Sequence, residues 1–439
     1  MTDSRATELG TKTTQDPETA AAPQSALRTA LAGLIGNVLE WFDFAVYGYF
    51  ATDIGHQFFP QNSPAAQQLL TFGVFALGFF ARPVGSLVLG SVGDRIGRRA
   101  LLTTSIALMG GATLILGLLP TYAQIGVAAP LLLMLMRIIQ GFSLGGEFTG
   151  SMVYTTEKSS PLMRGLVSSS TAAGTTIGFI LGSGAAWLVN ASLPADQVDL
   201  WGWRIPFVGS VLFLIVGYLL RRGITETAEG LKAAAARPPL FRSLLADWRP
   251  IVQTFGIVGM TNAAYYLTFT YAVERRKTLA PIDGQIFLLA NTLTLFVVLF
   301  SKPLGGWLSD KLGRRKMMLG LNVVMLGVIY VALREMMFGS PMKFVLGQSL
   351  MAVPIGMALG LQGAMVVEIF PLRTRVTSMS FAYSVTLALA GGMAPLVSSW
   401  LIEHFHNPLV PAYYIMVYGV IGLAIMWPMS ETNARALDT

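Results

Sequence analysis

The chain alternates long apolar stretches with short polar segments. Twelve of these stretches have the length of about 20 residues that an α-helix needs to cross roughly 30 Å of hydrocarbon. We number them spans 1 to 12, and they cover residues 27–50, 69–91, 101–119, 131–154, 166–190, 204–220, 251–272, 285–308, 317–338, 344–366, 376–402 and 412–429. The pattern therefore predicts an all-α membrane protein with twelve transmembrane helices.

The polar segments divide the chain into domains. Residues 1–26 are rich in Thr, Ala, Glu, Gln and Pro, and are predicted to form a disordered tail. A polar linker at 223–248 separates a six-helix bundle at 27–222 from a second bundle at 249–429, and residues 430–439 form a short tail. The first apolar run continues through the full length of a span, so we interpret it as a mature helix and not as a cleavable signal.

Composition supports this prediction. Hydrophobic residues make up 53% of the chain and charged residues 12%, whereas soluble domains contain about 25% charged residues. The net charge is +7. Most of the Lys and Arg residues fall in the tails and loops that share one side of the membrane, which the positive-inside rule assigns to the cytoplasm. Both termini are thus expected in the cytoplasm, and the positive charge requires no nucleic acid partner.

One loop occurs twice, at Gly90 to Arg99 and at Gly306 to Arg315, and each copy follows an apolar run. A second pair of charged segments follows spans 4 and 10. Because acids recur beside bases in both halves, we predict ionic clusters that close an inner gate; topological anchoring alone is the alternative. The predicted gating residues are Asp94, Arg95, Arg98, Glu157, Arg164, Asp310, Arg314, Glu368 and Arg373.

Several ionisable residues lie inside the spans. Each costs upward of ~2.5 kcal/mol at the bilayer centre, so such residues are candidates for a functional cavity. We assign proton coupling to Asp43 and Glu40, with Arg137 and Glu147 beside them. The predicted solute-binding residues are Asn37, Tyr47, Arg82, Gln140, Tyr265, Tyr266 and Lys302. The alternatives are permanent ion pairs that only orient helices and, for Arg82 and Lys302, side chains that extend toward the lipid headgroups.

Three strings add a family resemblance. They are Gly-Asn-Val-Leu-Glu-Trp-Phe-Asp-Phe-Ala-Val-Tyr-Gly at 36–48, the segment from Arg137 to Glu147, and Trp-Gly-Trp-Arg-Ile-Pro-Phe at 201–207. Together with the repeated loop they resemble the metabolite:proton symporters of the major facilitator superfamily. The resemblance implies two pseudo-symmetric six-helix bundles that rock about a central site. It also implies symport of a small organic solute with H⁺ across the bacterial cytoplasmic (inner) membrane.

Two substrate classes are compatible with the sequence. The aromatic pairs near Tyr265 and Tyr413 resemble proline/betaine carriers, and aromatic side chains suit a quaternary ammonium group. Lys302 and the run Arg275-Arg276-Lys277 favour an anion, since basic side chains attract and bind carboxylates. We favour a di- or tricarboxylate, with a zwitterionic compatible solute as the alternative.

Other functions are less compatible with the sequence. Export by proton antiport would use the same acids and remains a second alternative. No nucleophile–base pattern indicates an enzyme, and no metal site is predicted. The chain also lacks a phosphate-binding glycine loop followed by Lys-Ser/Thr, so we expect no cofactor and a proton gradient as the energy source. The expected partners are the solute, H⁺ and the lipid bilayer, and the protein is expected to be a monomer.

Overall fold

The computed structural model describes residues 37–96, 98–221, 240–279 and 284–433. The side chains of residues 90–102, 147, 220, 221 and 240–242 lie outside this description. So do the predicted tail at 1–26, the linker at 223–239 and the last residues, 434–439. Within the described ranges every regular element is a helix.

Each predicted span coincides with helix in the N-terminal half. Span 1 is helical at 37–49 and is followed by Ala51–Phe58. The remaining helices are Pro64–Ile96 (span 2), Arg98–Leu118 (span 3), Ala128–Ser143 and Glu147–Glu157 (span 4), Arg164–Ser192 (span 5), and Arg204–Gly209 with Val211–Arg221 (span 6). Short helices Tyr122–Ile125 and Ala195–Gln197 and a π-helix, Val198–Gly202, lie in the connections.

The C-terminal half repeats this organisation after a short helix, Leu240–Ala246. Two of its spans contain a π-helical turn. The helices are Trp248–Tyr266, Leu267–Tyr271 (π) and Ala272–Leu279 (span 7); Gly284–Leu312 (span 8); Arg314–Phe338 (span 9); Pro341–Ile369 (span 10); Arg375–Thr386, Leu387–Gly392 (π) and Met393–Phe405 (span 11); and Val410–Met426 (span 12).

Seven helices in the described ranges are long and apolar enough to cross a membrane by themselves, or eight when the bent pair Ala195–Gly202 and Arg204–Leu219 is taken as one span. Spans 3 and 12 contribute shorter apolar helices, Thr103–Leu118 and Val410–Met426. The all-α fold is confirmed, and each of the twelve predicted spans is helical over the part of it that the structure describes, several with interruptions.

Glycine sets the interruption and the close packing of span 4. Gly146 has φ +122°, a backbone conformation that other residues adopt only with strain, and a new helix begins at Glu147. A Cβ on Gly141 would lie 1.7 Å from the carbonyl oxygen of Gly78, so spans 2 and 4 are in backbone contact. Spans 8 and 10 meet in the same way, because a Cβ on Gly360 would lie 2.0 Å from the Lys302 carbonyl oxygen.

The two halves meet along two main seams. Span 5 packs along span 8, and span 2 packs along span 11. Spans 1 and 7 face each other between these seams, with Tyr49 donating a hydrogen bond of 2.8 Å to the Phe269 carbonyl oxygen. This arrangement places the ionisable residues of spans 1, 2, 4 and 8 in the protein interior.

Candidate functional site

A buried polar cluster joins spans 1, 3 and 4. Arg137 Nη1 lies 2.6 Å from Asp43 Oδ2, and Gln140 Nε2 donates to the other carboxylate oxygen at 2.8 Å. Gln140 also donates to Thr113 Oγ1 at 2.9 Å, and its own Oε1 accepts from Arg137 Nη1 at 2.8 Å. All four side chains are fully buried. The predicted pairing of Asp43 with Arg137 is therefore present, and Gln140, which was predicted to bind the solute, lies in the same cluster. We call these residues the coupling cluster, after the role predicted for Asp43 and Arg137.

Tyr47 forms one wall of the coupling cluster. The Arg137 guanidinium carbon lies 4.4 Å from the centre of the Tyr47 ring and 4.5 Å from that of Phe44. The Tyr47 hydroxyl donates to the Thr71 carbonyl oxygen at 3.1 Å. Tyr47 thus contacts Arg137 of the coupling cluster. It does not line the central cavity described below.

Glu40 has a different partner. Its carboxylate forms an ion pair with Arg82, and both side chains are buried. The Arg82 guanidinium carbon lies 5.3 Å from the ring centre of Trp41, while Arg82 Nη1 makes no hydrogen bond. Arg82 therefore does not extend to the headgroups, and each acid of span 1 is matched to a base on another span.

The two remaining residues predicted on spans 1 and 4 are Asn37 and Glu147. Asn37 is buried at the start of the described part of span 1, and its Oδ1 makes no hydrogen bond. Glu147 begins the second helix of span 4, and its side chain lies outside the described part of the chain.

Lys302 points into the boundary between the halves. Its Nζ donates to the Ala172 carbonyl oxygen at 2.5 Å and to Thr175 Oγ1 at 2.9 Å, both on span 5. The side chain is fully buried, so the alternative that it extends toward the headgroups is wrong. Among the described residues no carboxylate lies within 4.0 Å of Lys302 Nζ. Among the described residues, its side-chain nitrogen therefore has only neutral oxygen atoms as partners.

Lys302 borders a small central cavity between the halves. Polar side chains of Thr175, Asn262 and Gln362 join it, and the remaining walls are mostly aromatic: Trp41, Phe148, Phe179, Tyr265, Tyr266 and Tyr383. The hydroxyls of Tyr265 and Tyr266 make no hydrogen bond. Only about 20 Å³ is open to the centre of a water-sized molecule, which is room for a water or two. A larger solute requires the halves to move apart.

The end of the molecule that carries the basic loops is bridged between the halves; we call it the basic end. Asp310 accepts hydrogen bonds from the backbone N–H groups of Gly165 and Leu166, at 2.9 and 3.0 Å. These groups lie in the first turn of span 5, where the helix dipole favours a carboxylate. Arg314 pairs with Asp310 at 2.8 Å and with Glu368 at 3.3 Å.

Glu157 supplies a second bridge at the basic end. Its carboxylate accepts a hydrogen bond of 2.6 Å from Arg375 of the other half. Arg373, which the sequence indicated, is exposed instead. Arg164 is buried and lies in the field of Arg314, Glu368 and Arg375. The side chains of the predicted residues Asp94, Arg95 and Arg98 lie outside the described part of the chain.

The opposite end is bridged by a different set of charges. Lys277 Nζ lies 2.9 Å from Asp53 and 3.2 Å from Glu274, and it donates to the Tyr49 carbonyl oxygen at 2.8 Å. Glu274 also accepts from the backbone N–H of Thr52 at 2.9 Å. Asp53 and Thr52 lie in the helix after span 1, whereas Glu274 and Lys277 lie beyond the predicted end of span 7 at residue 272, in its helical continuation Ala272–Leu279. These contacts therefore join the halves, and contacts between the halves are present at both ends.

The basic run at 275–277 is thus not a free positive patch. Lys277 is neutralised by two carboxylates, and Arg276 donates to the carbonyl oxygens of Met337 and Gly339 at 2.8 and 2.9 Å. The interpretation that the three residues together concentrate anions is therefore wrong for Lys277, while the guanidinium of Arg276 is held by backbone oxygen atoms. Arg275 alone lines an open cavity.

Comparison with known proteins identifies the family. Residues 29–229 match the model for sugar (and other) transporters, and residues 281–436 match that of the major facilitator superfamily. A citrate-proton symporter of Klebsiella pneumoniae is 34% identical, with the match covering 92% of each chain. The chain belongs to the major facilitator superfamily. A proline/betaine transporter of Escherichia coli is 32% identical over 94% of this chain and 85% of its own.

Within the superfamily the chain is a member of the metabolite:proton symporters, as the motifs indicated. Another relative, an inner membrane metabolite transport protein of Escherichia coli, is 34% identical over 97% of this chain and 99% of its own. The xylose transporter XylE from E. coli, in a partially occluded inward open conformation, has a TM-score of 0.73 at 18% identity and covers 94% of this chain and 100% of its own. At that identity the likeness shows the fold alone.

Several residues that line the central cavity or bridge the two ends were not predicted from the sequence. In the central cavity they are Phe148, Phe179, Asn262, Gln362 and Tyr383. At the ends they are Asp53, Glu274 and Arg375. The signal available for Glu274 was its place directly before three basic residues. Nothing in the local sequence distinguishes Phe179 or Gln362 from the other residues of their spans.

Proposed function

We propose that the protein is a proton-coupled symporter that imports a small carboxylate-bearing organic solute by alternating access. In this proposal it lies in the bacterial cytoplasmic membrane with both termini and the basic end in the cytoplasm. The observation that carries the proposal is Lys302, a buried lysine at the central cavity without a carboxylate partner among the described residues. A solute carboxylate would supply the negative charge that stabilises the protonated form of this side chain.

Charge balance supports this role for Lys302. The coupling cluster pairs Asp43 with Arg137, and Glu40 pairs with Arg82. Burying an unpaired charge is costly, so an uncompensated lysine favours an anionic ligand. Because Lys302 on span 8 holds two oxygen atoms of span 5, a carboxylate that displaces them would loosen contacts between the halves. Solute binding and conformational change would thus share one side chain.

A second base supports the preference for a di- or tricarboxylate. Arg82 Nη1 is buried without a hydrogen bond. The charge of Arg82 acts on the hydroxyls of Tyr266 and Tyr383, both of which line the central cavity. A solute with two carboxylates could therefore bind Lys302 with one and approach Arg82 with the other. Arginine suits this because its N–H groups match a carboxylate in pairs.

The aromatic walls favour the alternative substrate class. The ring of Trp41 lies 6.0 Å from that of Phe179 and 6.5 Å from that of Tyr266, and Phe179 lies 4.9 Å from Tyr265. Aromatic faces arranged around a cavity stabilise a quaternary ammonium group. A zwitterion would place its carboxylate on Lys302 and its cationic end among these rings.

In the proposal, the coupling cluster carries the proton. A proton on Asp43 would remove the negative charge that Arg137 and Gln140 hold at 2.6 and 2.8 Å. Arg137 would then lack an anionic partner among the described residues, and the packing of spans 1 and 4 would have to change. Asp43 and Glu40 on span 1 therefore connect protonation to the helix that also bears Trp41 of the cavity.

The test is uptake into proteoliposomes under an inward proton gradient, with citrate, succinate, 2-oxoglutarate, proline and betaine supplied in parallel. We expect accumulation of at least one of them, and about a tenfold or greater loss in Lys302→Gln, because charged hydrogen bonds contribute about 1.5–3 kcal/mol. A dicarboxylate carrier should also lose uptake in Arg82→Gln. A zwitterion carrier should lose it in Tyr265→Ala instead.

Asp43→Asn separates coupling from binding. It should abolish proton-driven accumulation while solute exchange across the membrane continues. Lys343→Gln, which removes an exposed charge far from the cavity, is the control. Uptake of none of these solutes, or accumulation driven only by an outward gradient, would refute import by symport.

A further inference from the structure

A second cavity lies between the halves at the end opposite the basic end. It has a volume of about 190 Å³ and is open to the surface. One wall comes from the helix after span 1 and from the start of span 2, including Thr52, His56 and Gln68; the other comes from spans 7 and 11, including Tyr271, Arg275 and Ser399. The volume is several times that of the central cavity, so a small organic molecule fits here without a conformational change.

Arg275, Tyr271 and Ser399 line one wall of this outer cavity. The buried hydroxyls of Tyr271 and Ser399 face each other, so they serve as partners for one another. No carboxylate lies within 4.0 Å of the Arg275 guanidinium among the described residues. A guanidinium that lines a cavity without a carboxylate partner favours a ligand rich in acceptors.

We propose that this cavity is an outer binding site for a carboxylate group of the transported solute, occupied before the solute reaches the central cavity. The Arg275 guanidinium would bind the carboxylate in pairs of hydrogen bonds. The identity of the ligand as the transported solute rests on the proposed function. The existence of an anion site does not.

The other charged groups around the cavity do not cancel Arg275. Glu403 is exposed at the rim, where water screens its charge. His56 lies 2.6 Å from Asp199, so any positive charge on His56 already has a partner. Arg275 is thus the cation of this cavity that remains available to a ligand.

The position of the cavity connects it to the opposite-end bridge. Thr52 and Thr278 line the cavity, and their hydroxyls lie 3.2 Å apart across the two halves. The backbone N–H of Thr52 and the side chain of Lys277 both bind Glu274. A solute held by Arg275 therefore lies next to the contacts that must break when this end opens, which raises its concentration where it has to enter.

The first test uses thiol labelling. The chain contains no cysteine, so Gln68→Cys creates a single thiol in the cavity wall. An anionic methanethiosulfonate reagent should react with this thiol several-fold faster than it does in the Gln68→Cys/Arg275→Gln double variant, because a cation in a cleft focuses anions. A cationic reagent should show the opposite change. Lys343→Gln, which removes an exposed positive charge outside the cavity, should leave both rates unchanged.

Protection from labelling identifies the ligand. Citrate, succinate and betaine should each be tested, and at least one should slow the labelling of Gln68→Cys in a manner that Arg275→Gln abolishes and Arg275→Lys partly restores. Equal labelling rates with and without Arg275, for reagents of both charges, would overturn the proposal. Labelling requires no turnover, so this result is independent of any uptake measurement.

Transport then separates this proposal from the proposed function. Arg275→Gln should raise the KM for external solute about tenfold with little change in kcat, since the site acts before translocation. If the wild type accumulates a carboxylate and the KM of Arg275→Gln is unchanged, the outer site is refuted while the symporter proposal stands. If the wild type accumulates none of the solutes, the symporter proposal fails, and the labelling still decides whether an anion site exists.

Discussion

The two ends of the molecule are both bridged between the halves, but by different means. At the basic end, Asp310 accepts two backbone hydrogen bonds from the first turn of span 5, and Glu157 pairs with Arg375. At the opposite end, one lysine, Lys277, holds Asp53 and Glu274. Both ends therefore involve backbone as well as side chains. At the basic end Asp310 accepts from two backbone N–H groups of the other half, whereas at the opposite end Glu274 accepts from one, that of Thr52, and Lys277 holds the rest of the charged cluster together.

Backbone approach accounts for part of this difference. Gly306 begins the second repeated loop, and a Cβ placed on it would lie 2.4 Å from the Gly165 carbonyl oxygen. The close approach lets Asp310, one helical turn later, reach the N–H groups of Gly165 and Leu166. At the opposite end Lys277 reaches across with its own long side chain. The bridge at the basic end therefore requires a close approach of two backbones, whereas Lys277 spans its distance with a side chain.

The largest effect is expected from Asp310→Asn. The substitution removes the charge that pairs with Arg314 at 2.8 Å and one of the acceptors at the start of span 5. Breaking one partner of a buried pair costs about 3–5 kcal/mol, so the basic end should open in most molecules. The measurement is maleimide labelling of Ser168→Cys, a buried residue of span 5. Glu335→Gln, in a weak exposed pair, is the control; unchanged labelling would contradict a bridge through Asp310.

Gly306→Ala should have the next largest effect. Its methyl group would collide with the Gly165 carbonyl oxygen, and overpacking of this kind costs about 1–3 kcal/mol. We expect a roughly tenfold loss of uptake, together with faster labelling of Ser168→Cys. The matched control is Gly327→Ala in span 9, where a Cβ would have no neighbour within 4 Å. If both alanine variants behave alike, close approach at Gly306 is not required.

The smallest expected effect is a pH dependence confined to the opposite end. Burial raises the pKa of Glu274, with Lys277 opposing and Asp53 adding to the rise. When this end opens, Glu274 is solvated and its pKa falls toward the ordinary value. The closed form therefore binds the proton more tightly, so acidic pH favours closure and this stabilisation is lost as the pH rises through the raised pKa.

Labelling of Ser398→Cys, buried in span 11, measures this effect at the opposite end. Every thiol reacts faster as it ionises, so the expected result is a rate that increases with pH more steeply with Glu274 present than in Glu274→Gln. The labelling of Ser168→Cys at the basic end should not respond to Glu274→Gln. The same pH dependence with and without Glu274→Gln would assign the effect to another group.

Much of this organisation was predictable from the sequence. Twelve apolar stretches of membrane-spanning length predicted the helices, since backbone polar groups in hydrocarbon must be paired within a helix. The repeated loop predicted charges at one end, and Asp310, Arg314 and Glu368 do meet there. The cost of burying charge singled out Glu40, Asp43, Arg82 and Arg137 as residues that need partners.

Which residues pair was decided by the tertiary structure. Glu40 and Asp43 were both assigned to proton coupling beside Arg137, yet Glu40 binds Arg82 of span 2 and only Asp43 binds Arg137 of span 4. At the basic end the partner of Glu157 is Arg375 and not Arg373. A helical pattern indicates which face of a helix a residue occupies, but the partner depends on how neighbouring helices approach and in which register.

The sequence by itself therefore determined the number of spans, their helical nature and the residues that cannot stay unpaired, because these follow from local length, hydropathy and the cost of buried charge. Only the tertiary structure decided the pairing of those charges, the Lys277 cluster and the aromatic cavity beside Lys302. These features depend on contacts between spans far apart in the chain. The energies of such contacts change when one helix shifts by a few ångströms relative to another.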